Sequence, residues 1–497
     1  MSGIFGAYSI IDKDVAETGF LGTVFTQNRG EVGAGMTVGK YDIPKPQKEE
    51  GLAFVVLQKE LDLFKMIEPY MAIGHTRFGL NRGLQPNNFD GKRYKSTISM
   101  DGITMDASEF ETQQRLHDLL EYTGNIIDAS EKFMNEFYGR GIYSILWGIL
   151  DKKTGDLYMV GLRDPHGVKP LWKGKKNNTY LLSSETAGIT GSRAIPTEVV
   201  EPGSVNIFTG NYEPTTEILK YVPHYHCFFG ALYFQKANSI FENSGKSSRR
   251  IRRNIGRDWV DYYWNELKKI NPDFFLASPD SGIGFREGVI KGFNDRLILE
   301  KLKEGVPVYP NDIKESLMLI GKNPGAVRTF LSEIDIREYR SGTKFDFDYD
   351  VIVNGFGEDD YLISEEIPNV HVLYIHGKKI FVVDDSLVKG TVTESTFEPI
   401  EKCGAKVCGF GTSCDALAAN CLEDLYDPKR RVAHGLWNKT VEEKNKIVSQ
   451  DLGYPVFYTD WEIIKKRIGL DDLGNGCLTG IFPIDKKYLP EGYKSLL

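Results

Sequence analysis

The sequence has no run of about eighteen apolar residues, so no membrane-spanning helix is expected. It has no surplus of positive charge either. Its 61 Lys and Arg stand against 69 Asp and Glu, and the net charge of -8 excludes a general affinity for nucleic acid or anionic membranes. Cysteine is scarce. The six that exist (Cys227, Cys403, Cys408, Cys414, Cys421 and Cys477) form no CxxC pair, which argues against a structural zinc site and for a reducing compartment. The opening residues MSGIFGAYSI carry no basic segment, so no secretory signal is expected and a cytoplasmic location is. Internal repeats and low-complexity stretches are missing as well, which excludes a solenoid. The single basic run, Arg249, Arg250, Arg252, Arg253 and Arg257, falls in a helical stretch. It reads as a solvated face or as local phosphate contacts.

What is present is an ordinary globular composition, 41% hydrophobic and 26% charged, in a chain long enough for several cores. Two rhythms divide it. Up to residue 235 the apolar segments are short and strand-like: GIFGAYSI, LAFVVLQ, MAIGHTRF, STISMDG, YSILWGIL, DLYMVGL, YLLSSE and SVNIFTG. They come in hairpin-like pairs with a few helical stretches such as FETQQRLHDLLEYTG, which predicts an antiparallel α+β domain over residues 1–235. From 236 to 497 strands and helices alternate. A helix over SSRRIRRNIGRDWVDYYWNELKKI precedes strand DFFLASPDS and helix FREGVIKGFNDRLILEKL. Strand KKIFVVDDS, helix TESTFEPIEKCG and strand AKVCGFG follow, and this spacing predicts a mostly parallel sheet covered on both faces. The acidic residues 333–370 fit neither rhythm.

The chemistry concentrates in residues 378–393, KKIFVVDDSLVKGTVT. Lys378–Val383 read as a buried strand with Asp384 and Asp385 at its carboxyl end, where open α/β sheets bind ligands. Ser386, Leu387, Val388, Lys389, Gly390 and Thr391 form a loop before a helix, whose N-terminal N–H groups suit a phosphate. Gly390 lets backbone approach the phosphate closely. Two adjacent carboxylates fit a ribose diol and a hydrated Mg²⁺, a hard cation that prefers oxygen ligands. A plain strand–turn–helix with an Asp N-cap would explain one acid, not two followed by Ser, Lys, Gly and Thr. The segment resembles the phosphoribosyl pyrophosphate (PRPP) motif of type I phosphoribosyltransferases.

With that anchor, the chain as a whole resembles the glutamine PRPP amidotransferases, which open purine biosynthesis. SGIFG at 2–6, QNRGEVGAG at 27–35, GHTRF at 74–78, LQPNNF at 84–89 and Asp101-Gly102 resemble an N-terminal-nucleophile glutaminase. RDPHGVKPL at 163–171, SSE at 183–185 and EPGSV at 201–205 are similar to the family, and CFFGALYF at 227–234 to its domain junction. PDSG at 279–282, KNPGAVRTF at 322–330 and GCLTGIFP at 476–483 continue the resemblance. It implies an α+β Ntn-hydrolase-like (class II glutamine amidotransferase) domain followed by an α/β type I phosphoribosyltransferase domain. It also implies that Ser281 joins Asp384 and Asp385 around Mg²⁺, and that Lys322 and Arg328, on a loop folding over PRPP, neutralise pyrophosphate. PRPP, ammonia or another small amine, nucleotide effectors and further copies of the chain are the expected partners.

The glutaminase half departs from the family where its chemistry lies. The family's nucleophile is a cysteine exposed by loss of the initiator Met; here the residue is Ser2, whose hydroxyl is far less ionised. The family's oxyanion hole is Asn-Gly; Asp101 in front of Gly102 cannot donate when ionised, and one lost donor costs about 3 kcal/mol. Of the Arg-Tyr/Trp-Ser-Thr substrate pocket only Arg77 remains, followed by Phe78, Gly79 and Leu80. The expectation is a glutaminase fold without glutamine hydrolysis. Serine-dependent chemistry on another amide stays open, as does a regulatory or scaffolding role without turnover. Cys227, Cys421 and Cys477 match three of the cysteines that hold a [4Fe–4S] cluster in some family members, but Gly474 stands at the fourth, so small buried cysteines are expected rather than a cluster, the alternative being three thiolates with an unusual fourth ligand.

Overall fold

The computed structural model describes residues 2–79, 83–210, 212–277, 281–309, 313–323, 326–330, 376–388, 397, 400–402, 404–424 and 432–497, with backbone alone for 315–330 and for 424. The acidic stretch 333–370, most of TESTFEPIEKCG, and Lys389, Gly390 and Thr391 of the phosphate loop lie outside the described residues.

The alternation seen in the first half builds two stacked antiparallel sheets. Their strands are β1 (Gly3–Tyr8), β2 (Gly33–Gly39), β3 (Gln47–Glu50), β4 (Met71–Arg77), β5 (Asn87–Asp90) and β6 (Tyr94–Thr104). The series continues with β7 (Gly141–Asp151), β8 (Leu157–Arg163), β9 (Trp172–Lys176), β10 (Thr179–Ser183), β11 (Ile195–Val199), β12 (Ser204–Thr209) and β13 (Thr215–Ile218). One sheet runs β11-β9-β10-β1-β4-β2-β3, the other β13-β12-β8-β7-β6-β5. Side-chain alternation assigns the layers. Ile4, Tyr8, Met71, Leu146, Met159 and Leu182 point between the sheets and form one core. Phe5 and Ala7 point the other way, under helix α1 (Val15–Phe25), while Tyr143, Ile145 and Trp147 pack beneath α4 (Glu109–Thr123) and α5 (Ile126–Phe137). Helix, sheet, sheet and helix are thus four layers. One strand expectation fails: LAFVVLQ contains helix α2 (Ala53–Gln58), followed by α3 (Leu61–Met66). Ala53, Val56 and Leu57 are buried at helical spacing while Phe54 and Val55 face outward.

In the second half, β17 (Phe274–Ala277), β18 (Glu315–Asn323), β19 (Ala326–Phe330), β20 (Lys379–Asp384), β21 (Lys406–Thr412) and β22 (Val456–Phe457) form a sheet ordered β19-β18-β17-β20-β21-β22. Every pairing is parallel except β18 with β19. Phe275, Phe381 and Val383 face Trp259 and Phe285 on one side, while Phe274, Ile380 and Val382 face Ile400, Val448 and Tyr458 on the other. Burial on both faces explains why these strands read as unbroken apolar runs. The long basic helix is two helices, α7 (Ser248–Tyr262) and α8 (Trp264–Ile270), interrupted at Tyr263, whose hydroxyl donates to the Tyr458 carbonyl at 2.7 Å. Helix α9 spans Ser281–Lys303 and so begins within PDSG, whose Pro279 and Asp280 lie outside the described residues.

Short elements knit the halves together. β14 (His226–Cys227) pairs in parallel with β23 (Leu473–Gly474) across the halves, while within the second half β15 (Ile240–Phe241) pairs antiparallel with β16 (Lys246–Ser247). CFFGALYF makes a π-helical turn at Gly230–Phe234. Among the described residues, no helix is long and apolar enough to cross a membrane.

Candidate active sites

The first site lies at the head of β1. The Ser2 amide donates to Asp101 Oδ1 on β6 at 2.9 Å, and Arg29 Nε donates to the Ser2 carbonyl at 3.0 Å. Both Ser2 and Asp101 are buried. Gly102 has φ +148°, and a Cβ there would lie 2.1 Å from the Ile142 carbonyl oxygen, so only glycine fits beside Asp101. The fold therefore assembles the expected trio of Ser2, Asp101 and Gly102.

What surrounds Asp101 was not legible in the sequence. Arg29 Nη2 pairs with its Oδ2 at 2.7 Å and Lys169 Nζ lies 3.7 Å from its Oδ1. Lys169, from RDPHGVKPL, also bonds Glu423, which arrives from the second half of the chain with a side chain only 7% exposed. Burial alone would raise the Asp101 carboxyl, but Lys169 and Arg29 outweigh it and hold it below its ordinary value. Burial likewise opposes ionisation of Glu423, yet Lys169 keeps it well below the usual carboxylate range. Arg29, Asp101, Lys169 and Glu423 thus form a buried chain of alternating charge across both halves. Removing one partner of a buried pair leaves the other uncompensated, so Glu423→Gln is expected to cost on the order of 3 kcal/mol in denaturant unfolding. Because both carboxyls are depressed in the folded state, this stabilisation is full above the unfolded value of about 4.3 and is lost as pH falls below it. A variant whose unfolding midpoint and acid profile match the parent's would contradict this account.

Arg77, at the end of β4, does not join Ser2 and Asp101. It donates from Nη1 and Nη2 to Glu109 at 3.1 and 2.5 Å, and from Nη2 to the Gly83 carbonyl at 2.6 Å. Gln85 Nε2 holds the same carboxylate at 2.7 Å. Glu109 opens α4, where Ser108 caps the helix in a box with Glu111, so the acid sits at a favourable helix N-terminus. The guanidinium expected to meet a substrate carboxylate already has an internal one.

The second site is the carboxyl end of β20. Asp384 and Asp385 are 3% and 2% exposed. Ser281, the first residue of α9, donates its hydroxyl to Asp385 Oδ1 at 2.5 Å, and Ser386 donates to Oδ2 at 2.6 Å. The Asp385 amide donates to Asp384 Oδ1 at 2.8 Å, and Ser413, in the loop after β21, donates to the Asp385 carbonyl at 3.2 Å. Leu387 is buried and Val388 packs against the core, which anchors the start of the phosphate loop. Two buried carboxylates ringed by hydroxyls fit a hard divalent cation. Lys322 and Arg328 lie on β18 and β19, two arms of a hairpin beside β17, with Lys322 opposite Val327. The expected loop is thus largely strand, and its tip lies outside the described residues.

The third locus concerns the cysteines. Cys227, Cys421 and Cys477 lie near Tyr225. A Cβ at Gly474 would sit 2.1 Å from the Tyr225 ring, whose hydroxyl accepts from the Gly476 amide at 2.7 Å and donates to the Ile481 carbonyl at 2.9 Å. Burial pushes the Cys227 thiol up to about 11, further from the thiolate that metal ligation needs. A bonded tyrosine fills the corner a fourth cysteine would require.

An Ntn-type, class II glutamine amidotransferase fold followed by a type I phosphoribosyltransferase fold is the class these two halves define. No family model matches the chain. Amidophosphoribosyltransferases of Methanocaldococcus jannaschii and Pyrococcus horikoshii are 25% and 26% identical to it, over 98% and 97% of the chain and 98% and 96% of their own lengths. The solved structure of the Bacillus subtilis glutamine PRPP amidotransferase with ADP and GMP superposes with TM-score 0.70 at 21% identity, covering 97% of each chain. A second solved structure, described as the allosteric regulatory enzyme of purine biosynthesis, gives 0.71 at 21% identity over 97% of this chain and 96% of its own. The chain is thus similar along nearly its whole length to the amidophosphoribosyltransferases, and its second half has the type I phosphoribosyltransferase fold.

Proposed function

We propose that the protein displaces pyrophosphate from PRPP with ammonia or another small amine, giving a phosphoribosylamine, and that its glutaminase half is inactive toward glutamine. On this reading residues 1–235 form the glutaminase-like domain and 236–497 the transferase domain. The observation that carries it is the buried Asp384–Asp385 pair at the end of β20, bracketed by the Ser281 and Ser386 hydroxyls. Asp384 and Asp385 would meet the ribose diol, and these residues with Ser281 would hold Mg²⁺. The Ser386–Thr391 loop would cradle the 5-phosphate, with Lys322 and Arg328 brought to the pyrophosphate. A bound Mg²⁺ supplies charge stabilisation to the leaving pyrophosphate. The amine nitrogen attacks the anomeric carbon, the bond from that carbon to the pyrophosphate oxygen breaks, and the amine sheds a proton. An oxocarbenium-like sugar needs position and electrostatics more than a protein nucleophile.

Glu109 on Arg77 and the anionic Asp101 beside Ser2 support an inactive glutaminase half. A purine-biosynthetic role, nucleotide effectors and self-assembly follow the relatives, one of which was solved with ADP and GMP. The test is pyrophosphate release from PRPP and Mg²⁺ with an ammonium salt, with product identified by mass spectrometry. Release with ammonium and not with glutamine is expected. Silence with every amine tried would favour a binding role without turnover.

No iron–sulfur cluster is part of this reading, because Tyr225 occupies the corner beside Gly474. The anaerobically purified protein is expected to be colourless and iron-free, and Gly474→Cys alone is expected to leave it so. About four irons per chain would overturn this.

A further inference from the structure

Beside the cysteine locus, but separate from it, three other side chains converge. His224 leads into β14 and His226 opens it, on either side of Tyr225, and Asp472 precedes β23 on the other half of the chain. One ligand atom from each lies within 4.8 Å of the other two. Asp472 Oδ2 is 3.4 Å from His226 Nε2 and 3.6 Å from His224 Nδ1. A tetrahedral ion with bonds of about 2.0–2.2 Å separates its ligands by roughly 3.4 Å, so these spacings need little adjustment. We propose that His224, His226 and Asp472 bind a first-row divalent metal ion, zinc foremost, at the junction of the two halves.

The surroundings carry the assignment further than the three ligands do. His226 is buried, and its Nδ1 faces Glu242 Oε1 at 2.9 Å. Arg163 donates to both oxygens of Glu242, so this carboxylate faces His226 as an acceptor. With Nδ1 turned to Glu242, Nε2 is the nitrogen that faces Asp472 and would meet the ion. A carboxylate that fixes the tautomer of a histidine is the supporting arrangement found behind metal-bound imidazoles. Glu242 is itself fixed by Arg163 at 2.8 and 2.9 Å, so the support is rigid. Asn243 Nδ2 lies 3.4 Å from His226 Nε2, and its contact would give way to the ion. His224 is partly buried, and its Nδ1 faces Asp472. Asp472 is 42% exposed and leaves the site open to solvent for entry and for a water ligand.

Two imidazoles and one carboxylate suit Zn²⁺ and its neighbours better than Mg²⁺, which prefers oxygen alone. With ligands from both halves, the ion would act as a staple on the folded state and raise the melting temperature with its concentration.

The test uses the full chain, stripped with chelator and returned to excess Mg²⁺ so that the Asp384–Asp385 site is filled. Calorimetric titration with Zn²⁺ is expected to give one equivalent per chain. Affinity should fall at least about tenfold in Asp472→Asn and in His224→Asn, the loss of one ligand. It should be unchanged in Asp384→Asn/Asp385→Asn and in Cys227→Ser/Cys421→Ser. Cobalt substituted into the unaltered protein should show d–d bands without thiolate charge transfer, which excludes the nearby cysteines even if their variants fail to fold. No stoichiometric binding, unchanged affinity in both ligand variants, or a thiolate band would each overturn the proposal.

Discussion

Replacing Asp384 and Asp385 together by asparagine is expected to abolish Mg²⁺-dependent PRPP binding. Asparagine keeps the shape and much of the hydrogen bonding of aspartate. Ser281 and Ser386, which donate to Asp385 in the parent, can each donate to or accept from an amide instead. What disappears is two negative charges at a buried strand end, and with them the attraction for a divalent ion and the acceptors for a ribose diol. Two charge-assisted contacts are worth on the order of 3 kcal/mol or more, so affinity should fall about a hundredfold. Melting temperature without ligand should change little. Calorimetry with PRPP, with and without Mg²⁺, reads the effect. Affinity within a few-fold of the parent's would remove the PRPP site from this strand.

Glutamine hydrolysis is expected at background, with or without PRPP, and restoring two residues is expected not to rescue it. Ser2 is a weaker nucleophile than cysteine, and its amide meets an anion at Asp101 rather than a neutral amide. A tetrahedral intermediate next to that anion would meet repulsion where about 3 kcal/mol of stabilisation is needed. Ser2→Cys/Asp101→Asn addresses both. It leaves Arg77 clasped by Glu109, at 2.5 Å, and by the Gly83 carbonyl, so the glutamine carboxylate has no counter-ion to enter upon. Only with Glu109→Ala added should glutamine binding become measurable. Glutamate formation by the three proteins separates these steps. Robust turnover by the parent, lost in Ser2→Ala, would instead reveal a working serine glutaminase.

How much of this the sequence disclosed follows from the range of the interactions. The parallel sheet was legible because its strands are buried on both faces, so KIFVV and FFLA read as apolar runs between helices. The segment LAFVVLQ misled because its exposed Phe54 and Val55 are as apolar as its buried Val56 and Leu57, which erases the periodicity that separates helix from strand. Likewise nothing local in the sequence marks the break at Tyr263. In the candidate phosphate site the residues are contiguous, and Asp384 through Val388 lie at and just beyond the carboxyl end of β20. In the Ser2 site it is not. Arg29 is 72 residues from Asp101 and Glu423 is 254 from Lys169, distances over which a single sequence gives no pairing signal. Glu109 was closer at hand, but only the geometry of Arg77 reveals its use. Tyr225 carried no hint that its ring would stand against Gly474.

The buried series Arg29, Asp101, Lys169 and Glu423 also constrains what this lineage can become. Any single step back toward an amide at position 101 strands two interior cations against one anion. The intermediate loses folding free energy of about 3 kcal/mol before any activity returns. Such a site behaves as a ratchet: once position 101 is a charge, the buried Arg29 and Lys169 that neutralise it oppose its loss. Fragments fare no better, for a separately expressed first half would keep Lys169 and lose Glu423.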